Sequence, residues 1–177
     1  MKYINLAMLS LLTITSCSNE AIKDEDSYLY SVPPGSTLTL NQNITIRANL
    51  ARTFFQNGAV IDESNLNIYY PHCSLTTNTL TDKDRVISPA IFIVQKVIDD
   101  EEYAQGYLHF ASNNISVSSD GPLITGLVSY YYLSSSIEQD VRTLECIRWD
   151  SPYENRHLSI REIRKSLGDI LTLTIAE

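Results

Sequence analysis

The side chains able to do chemistry are scattered along this chain and do not form recognisable catalytic motifs. The three histidines, His72, His109 and His157, lack the three- or four-residue spacing of a zinc-binding helix. No serine stands in the G-x-S-x-G sequence of a nucleophile elbow, and no glycine-rich phosphate loop occurs. The sequence therefore indicates no catalytic residues, no metal site and no cofactor.

Two pieces of the sequence could instead belong to a metal site. His72 and Cys73, with a distant third ligand, would suit a metal if Cys73 were reduced; an oxidised Cys73 leaves His72 as a surface residue of a strand. The acidic run at residues 99–102 lacks the alternating oxygen ligands of a calcium loop. We expect that run to form the solvated tip of a hairpin, where its charges discourage edge pairing.

The N-terminus carries the pattern of a secretory signal that ends at a cysteine. Lys2 precedes an apolar stretch at residues 6–12, and small residues at 15–16 stand directly before Cys17. The stretch is shorter than the about 20 residues that span a bilayer, but it has the length of a signal-peptide core. The pattern resembles the lipobox of bacterial lipoproteins. That resemblance implies a signal peptide at 1–16 and palmitate or similar acyl chains on Cys17, which anchor the protein in the membrane.

The segment after Cys17 is polar and begins SNEAIKDEDS, so we predict a flexible tether over residues 17–32. Ser18 is not the aspartate that marks inner-membrane retention in enteric lipoproteins, and by that resemblance we expect the outer membrane, facing the periplasm. Without Lys2 the 13 basic residues become 12 against 21 acidic ones, a net charge of −9. Such a charge argues against nucleic acid as a partner.

The remaining two cysteines suggest a disulfide. Cys73 and Cys146 form an even pair once Cys17 carries lipid, and an oxidising periplasm favours their bridging. Two buried, reduced thiols are the alternative. Each cysteine lies in an apolar run typical of a strand, so the bridge is expected to join two distant strands.

Residues 33–177 have the pattern of one mainly β domain. Short runs rich in β-branched residues recur between polar turns, which predicts an antiparallel sandwich or small barrel. Asn57-Gly58 predicts a hairpin, and residues 121–136 and 140–150 are expected to be long antiparallel partners. One amphipathic helix is predicted over 158–169, since Ser159 and Glu162 have the spacing of a capping box and Gly168 suits a helix end. A final strand follows, covering an edge of the sheet.

Tyrosines are the strongest hint of a binding surface. They cluster at Tyr69-Tyr70 and at Tyr130-Tyr131-Tyr132. Consecutive strand residues face opposite sides, so each cluster must turn at least one ring outward. Exposed tyrosine rings suit the binding of glycans or proteins, whereas the alternative is that they fill half-buried strands.

The order STLTLNQNITI, ARTFFQNGAVI, YYPHCSL and ISPAIFIVQKV is similar to that of small uncharacterised lipoproteins of proteobacteria. The resemblance covers about residues 33–177, includes a later cysteine at Cys146 before a short helix, and implies a periplasm-facing lipoprotein with no activity attached. We therefore hypothesise a membrane-anchored, non-enzymatic module that binds or scaffolds an envelope protein or glycan. A hydrolase of envelope polymers and a periplasmic metal-binding protein are the alternatives.

Overall fold

One curled antiparallel sheet forms a half-barrel and carries a single short helix in the computed structural model, which describes residues 23–103, 110–111, 114–115 and 124–176. The mainly β prediction is confirmed. The helix is α1 (Ile160–Leu167). The strands are β1 (Thr37–Leu40), β2 (Ile44–Ile46), β3 (Arg52–Gln56), β4 (Ala59–Ile61), β5 (His72–Thr77), β6 (Arg85–Ile87), β7 (Ile91–Tyr103), β8 (Phe110–Ala111), β9 (Asn114–Ile115), β10 (Thr125–Ser134), β11 (Val141–Ile147), β12 (Trp149–Asp150) and β13 (Leu171–Thr174).

The main sheet has the strand order β13-β1-β7-β10-β11-β5-β3-β4, with β12 added to β10. Two small sheets, β2-β6 and β8-β9, accompany it. The predicted long partners are confirmed as β10 and β11, which pair antiparallel. The final strand β13 lies at one edge of the sheet, as predicted, and pairs with β1.

The hairpin predicted at Asn57-Gly58 joins β3 to β4. Both residues have positive φ, 52° and 78°, which is the backbone that tight two-residue turns require. The turn also receives the end of α1, since the Gly58 N–H donates to the Ser166 carbonyl at 3.0 Å. A Cβ atom on Gly168 would lie 2.4 Å from the Gly58 Cα, so this close approach needs glycine.

The helix begins with the predicted capping box. Ser159 accepts a hydrogen bond from the Glu162 backbone N–H, and the Glu162 carboxylate accepts one from the Ser159 N–H. Ile160, Ile163 and Leu167 are buried and pack into the main core with residues of the sheet. The helix thus covers one face of the half-barrel, which we call the core face.

The acidic run at 99–102 is not a hairpin tip, and that expectation is wrong. All four residues lie inside the 13-residue strand β7 and pair with residues 126–129 of β10. Alternation sends their side chains to both faces: Ser129 on the core face donates to Asp99, and Tyr130 on the other face donates to Glu102. The run is nevertheless largely exposed to solvent, since only Glu102 is half-buried.

The segment at residues 24–32, predicted as part of the tether, contacts α1. Glu25 pairs with Arg164, and Asp26 pairs with Arg161. The Arg161 N–H also donates to the Glu25 carbonyl at 3.1 Å. Val32 is 1% exposed and belongs to the core. Residues 17–22 lie outside the described residues, as does the predicted signal peptide.

The predicted disulfide is confirmed. Cys73 on β5 and Cys146 on β11 are bonded and occupy directly opposed positions of the two neighbouring strands. Both side chains are fully buried on the core face. The bridge closes a loop of 73 residues across the middle of the sheet.

Candidate functional site

The face of the sheet opposite to α1 carries a row of polar and aromatic side chains, and we call it the pocket face. Phe54, Ser74, Glu145 and Tyr130 stand side by side on four adjacent strands, because their backbone registers coincide. The neighbouring row, which contains Phe55 and the two bridged cysteines, points to the core face. The same strands therefore supply both the core and the candidate site.

A cavity of about 280 Å³ lies over this row. One wall is the segment between β4 and β5, which is held in place by the Gln56 side chain. The Gln56 amide donates to the Asn67 carbonyl at 2.8 Å and accepts from the Asn67 N–H at 3.2 Å. The cavity is lined by Arg52, Phe54, Glu63, Leu66, Ile68, His72, Ser74, Glu102, Val128, Glu145, Ile147 and Trp149.

Glu145 is the most strongly held carboxylate of this cavity. It accepts hydrogen bonds from the hydroxyls of Ser74 at 3.3 Å, Thr76 at 3.1 Å and Thr143 at 3.4 Å. The Arg52 guanidinium lies 3.5 Å from the same carboxylate. These donors hold Glu145 in place across the centre of the pocket face.

Glu102 provides a second carboxylate from β7. The Tyr130 hydroxyl donates to it at 2.6 Å. Burial raises the pKa of Tyr130 well above its ordinary value, and the bond to Glu102 and the charges of Glu102, Glu145 and Asp100 raise it further. The phenol therefore stays protonated and remains a donor to Glu102.

His72 has one ring nitrogen without a partner among the residues that the structure describes. Its Nδ1 lies 2.9 Å from the Tyr70 carbonyl oxygen, which can only accept, so Nδ1 carries the proton and Nε2 the lone pair. Burial lowers the pKa of His72, against a smaller opposing effect of the Tyr70 carbonyl, so the ring is neutral at physiological pH. The side chain is only 4% exposed and lines the cavity. No described residue forms a hydrogen bond with Nε2.

Gly126 allows the apolar side of the cavity to form. A Cβ atom at this position would lie 2.5 Å from the Ile147 Cδ1 and 3.3 Å from a ring carbon of Trp149. Without a side chain on β10 here, Ile147 and Trp149 settle directly over the strand. Trp149 is held further by its backbone N–H, which donates to the Ile68 carbonyl at 3.0 Å.

A larger cavity of about 390 Å³ lies beside the first and shares Arg52, Phe54 and Glu63 with it. Four of its charged groups, Arg47, Arg52, Asp62 and Asp84, already have partners in the protein. Arg47 pairs with Asp62 at 2.7 Å, and Asp84 accepts from the Ala48 N–H at 2.9 Å. Size alone therefore does not decide the site. The smaller cavity is the better candidate, because it contains a ring nitrogen with no hydrogen-bond partner in the described part of the chain.

On the core face, a third cavity of about 180 Å³ brings Ser129 and His157 together. Ser129 Oγ lies 3.3 Å from His157 Nδ1 and donates to Asp99 at 2.7 Å. A serine nucleophile needs the histidine to accept its proton, whereas here Asp99 accepts it. This arrangement gives no support to a serine hydrolase.

The structure separates the tyrosines proposed as a binding surface. Tyr69 and Tyr70 lie in the turn before β5 and are 56% and 60% exposed. Tyr131 is buried in the core, while Tyr130 and Tyr132 are half-buried on the pocket face. Of the five tyrosines, only Tyr69 and Tyr70 are therefore exposed, and they are separate from the half-buried Tyr130 and Tyr132. Cys17 and His109 lie outside the described residues.

Ser74 and Glu145 were not identified from the sequence as cavity residues, and the expectation that His72 is a surface residue is wrong, since His72 is 4% exposed. A signal for them was present beside the two cysteines. If Cys73 and Cys146 meet in the core, the residues next to each must point to the opposite face. His72 and Ser74 then stand across from Ile147 and Glu145, which is the observed register.

No protein-family model, curated protein or solved structure matches this chain. Within the described residues, no helix is long and apolar enough to cross a membrane. The same part of the chain contains no group of three or more His, Cys, Asp or Glu side chains placed to hold a metal ion.

Proposed function

We propose that this protein is a lipid-anchored binding module of the bacterial cell envelope, whose ligand or partner occupies the pocket face. The cavity over Phe54, Ser74 and Glu145 carries this proposal. It combines aromatic and aliphatic walls with a few fixed polar groups, and this composition is typical of pockets that bind small ligands. Its buried His72 has a ring nitrogen that no described residue contacts by a hydrogen bond, and that nitrogen can accept one from a ligand.

The anchoring half of the proposal rests on the sequence pattern that ends at Cys17 and on the chemistry of the compartment. Two or more acyl chains give stable membrane attachment. The Cys73–Cys146 bridge suits an oxidising compartment such as the periplasm. By resemblance to enteric lipoproteins, we propose the outer membrane as the location, with the domain facing the periplasm.

Crosslinking in intact envelopes tests the binding half. We expect Trp149→Ala to reduce recovery of crosslinked protein or glycan at least fivefold, because the indole forms one wall of the cavity. Tyr153→Ala is the matched control, since that ring is 99% exposed and outside the cavity. Unchanged recovery in a Trp149→Ala protein that melts like the wild type contradicts the proposal.

Fractionation tests the anchoring half in the same cells. Cys17→Ser should move the protein out of the membrane fraction or leave its signal uncleaved, and it should abolish palmitate labelling. Ser18→Ala should leave both unchanged. Retention and labelling in the Cys17→Ser variant would show that another feature anchors the chain.

A further inference from the structure

The pocket face offers a ligand more hydrogen-bond acceptors than donors. His72 Nε2 carries a lone pair with no partner among the described residues, and the carboxylates of Glu63, Glu102 and Glu145 line the same cavity. The Tyr130 hydroxyl is already used on Glu102. A ligand that fits must therefore bring N–H or O–H groups of its own.

The charges of the cavity favour a cation. Three carboxylates face the single guanidinium of Arg52, and the neutral His72 adds no positive charge. Arg52 lies on the rim, with a side chain 50% exposed, and its distance of 3.5 Å from Glu145 is that of a loose pair. A cationic ligand would be attracted by the remaining negative charge of this partly enclosed site.

The rest of the lining indicates an organic ligand and not a bare metal ion. Half of the lining residues are apolar, and the described residues contain no group of three or more potential metal ligands. Aromatic and aliphatic walls gain free energy by covering hydrocarbon, and an indole face also attracts an ammonium group. The apolar residues are Phe54, Leu66, Ile68, Val128, Ile147 and Trp149.

We propose that this cavity binds a primary ammonium group carried on a hydrocarbon chain, with Glu102 and Glu145 facing the charge and His72 Nε2 accepting one N–H. The hydrocarbon packs against Trp149 and Phe54. This inference rests on the proposed function and names the chemical class of its ligand. The ammonium group has two sources, a free amine or the side chain of a lysine in a partner protein.

Calorimetry on the full chain in detergent tests the inference with a matched pair of probes. 1,5-Diaminopentane should bind at one site, at least tenfold more tightly than the neutral 1,5-pentanediol of the same length. Nα-acetyl-lysine methylamide presents the same ammonium chain on a peptide. Tighter binding of this derivative supports the inference with a protein partner, and tighter binding of the diamine supports it with a free amine.

Isosteric variants locate the site without disturbing the fold. Glu102→Gln and Glu145→Gln should each weaken diamine binding at least fivefold, while Asp82→Asn, an exposed carboxylate outside the cavity, should leave it unchanged. The ¹⁵N resonance of His72 Nε2 should shift when the diamine is added and stay in place when the diol is added.

Three results overturn the inference: equal binding of diamine and diol, diamine binding that survives both glutamine changes, and no binding of either amine probe. Saturable binding of Ca²⁺ or of a neutral sugar in place of the amine also overturns it. None of these results removes the proposed binding role, which is judged separately by crosslinking of the Trp149→Ala variant.

Discussion

The two faces of the sheet use the same strands for opposite purposes. On the core face, Phe55, Leu75 and Leu144 pack with α1 in one apolar cluster. On the pocket face, their strand neighbours Phe54, Ser74 and Glu145 line a cavity. Because side chains alternate along a strand, the packing of one face sets the spacing of the groups on the other. The positions of Phe54, Ser74 and Glu145 therefore depend on the packing of the core behind them.

Polar groups on the two faces differ in exposure. On the core face, Ser129 contacts Asp99 and His157, and the Asp99 side chain is 44% exposed. On the pocket face, His72 is 4% exposed and keeps Nε2 without a partner among the described residues. A polar atom of a buried side chain has less access to water, so it gains more from a ligand that bonds to it.

Removing the disulfide should have the largest effect on stability, because the bridge joins β5 and β11, the two strands that carry residues of both faces. Changing both Cys73 and Cys146 to Ala should lower the free energy of unfolding by about 4 kcal/mol, the value expected for closing a loop of this length. Urea unfolding of the variant and of the reduced wild type measures the loss. A difference below about 1 kcal/mol would mean that the core packing alone holds β5 and β11 together.

Truncating two neighbouring tyrosines, one on each face, compares how much each face contributes to the free energy of unfolding. Tyr131→Ala empties a place in the core and should cost about 3 kcal/mol or more, whereas Tyr130→Ala should cost about 1 kcal/mol, mainly its bond to Glu102. Crosslinked recovery should fall with Tyr130→Ala. If the two variants unfold at the same urea concentration, the predicted difference between the two faces is wrong.

The attachment of α1 to the core face depends on pH through Glu162. The Arg156 guanidinium lowers the pKa of Glu162 to about 2, and the Ser159 N–H adds to this, against the effect of burial. A carboxyl with a pKa below its ordinary 4.5 stabilises the fold fully above about pH 4.5 and loses that effect as the pH falls towards 2. Glu162→Gln should therefore cost about 2 kcal/mol at pH 7 and almost nothing near pH 2.

Glu154→Gln is the control for this measurement, since Glu154 is exposed near the start of the helix. It should unfold like the wild type at every pH. If the cost of Glu162→Gln were the same at pH 7 and pH 2, its charge would not be what fixes the helix.

The sequence predicted the local features of this fold and missed those that depend on register. The turn at Asn57-Gly58 and the capping box at Ser159 are set by residues close in the chain, and both were predicted. The position of the acidic run was not predicted correctly. Its place inside β7 depends on pairing with β10, about 30 residues away in the chain. The cavity was missed for the same reason, since Glu145 and Ser74 meet only through strand pairing.

The contact between the N-terminal segment and α1 determines how far the domain can move from a membrane. With lipid on Cys17, as proposed, and Glu25 and Asp26 paired to Arg164 and Arg161, only residues 18–24 span the distance between bilayer and fold. A fully extended chain of that length reaches about 25 Å. Were the segment released up to Val32, the reach would double to about 50 Å. If Cys17 carries lipid as proposed, the contacts of this segment with α1 would halve the distance to which the domain can extend from the lipid surface.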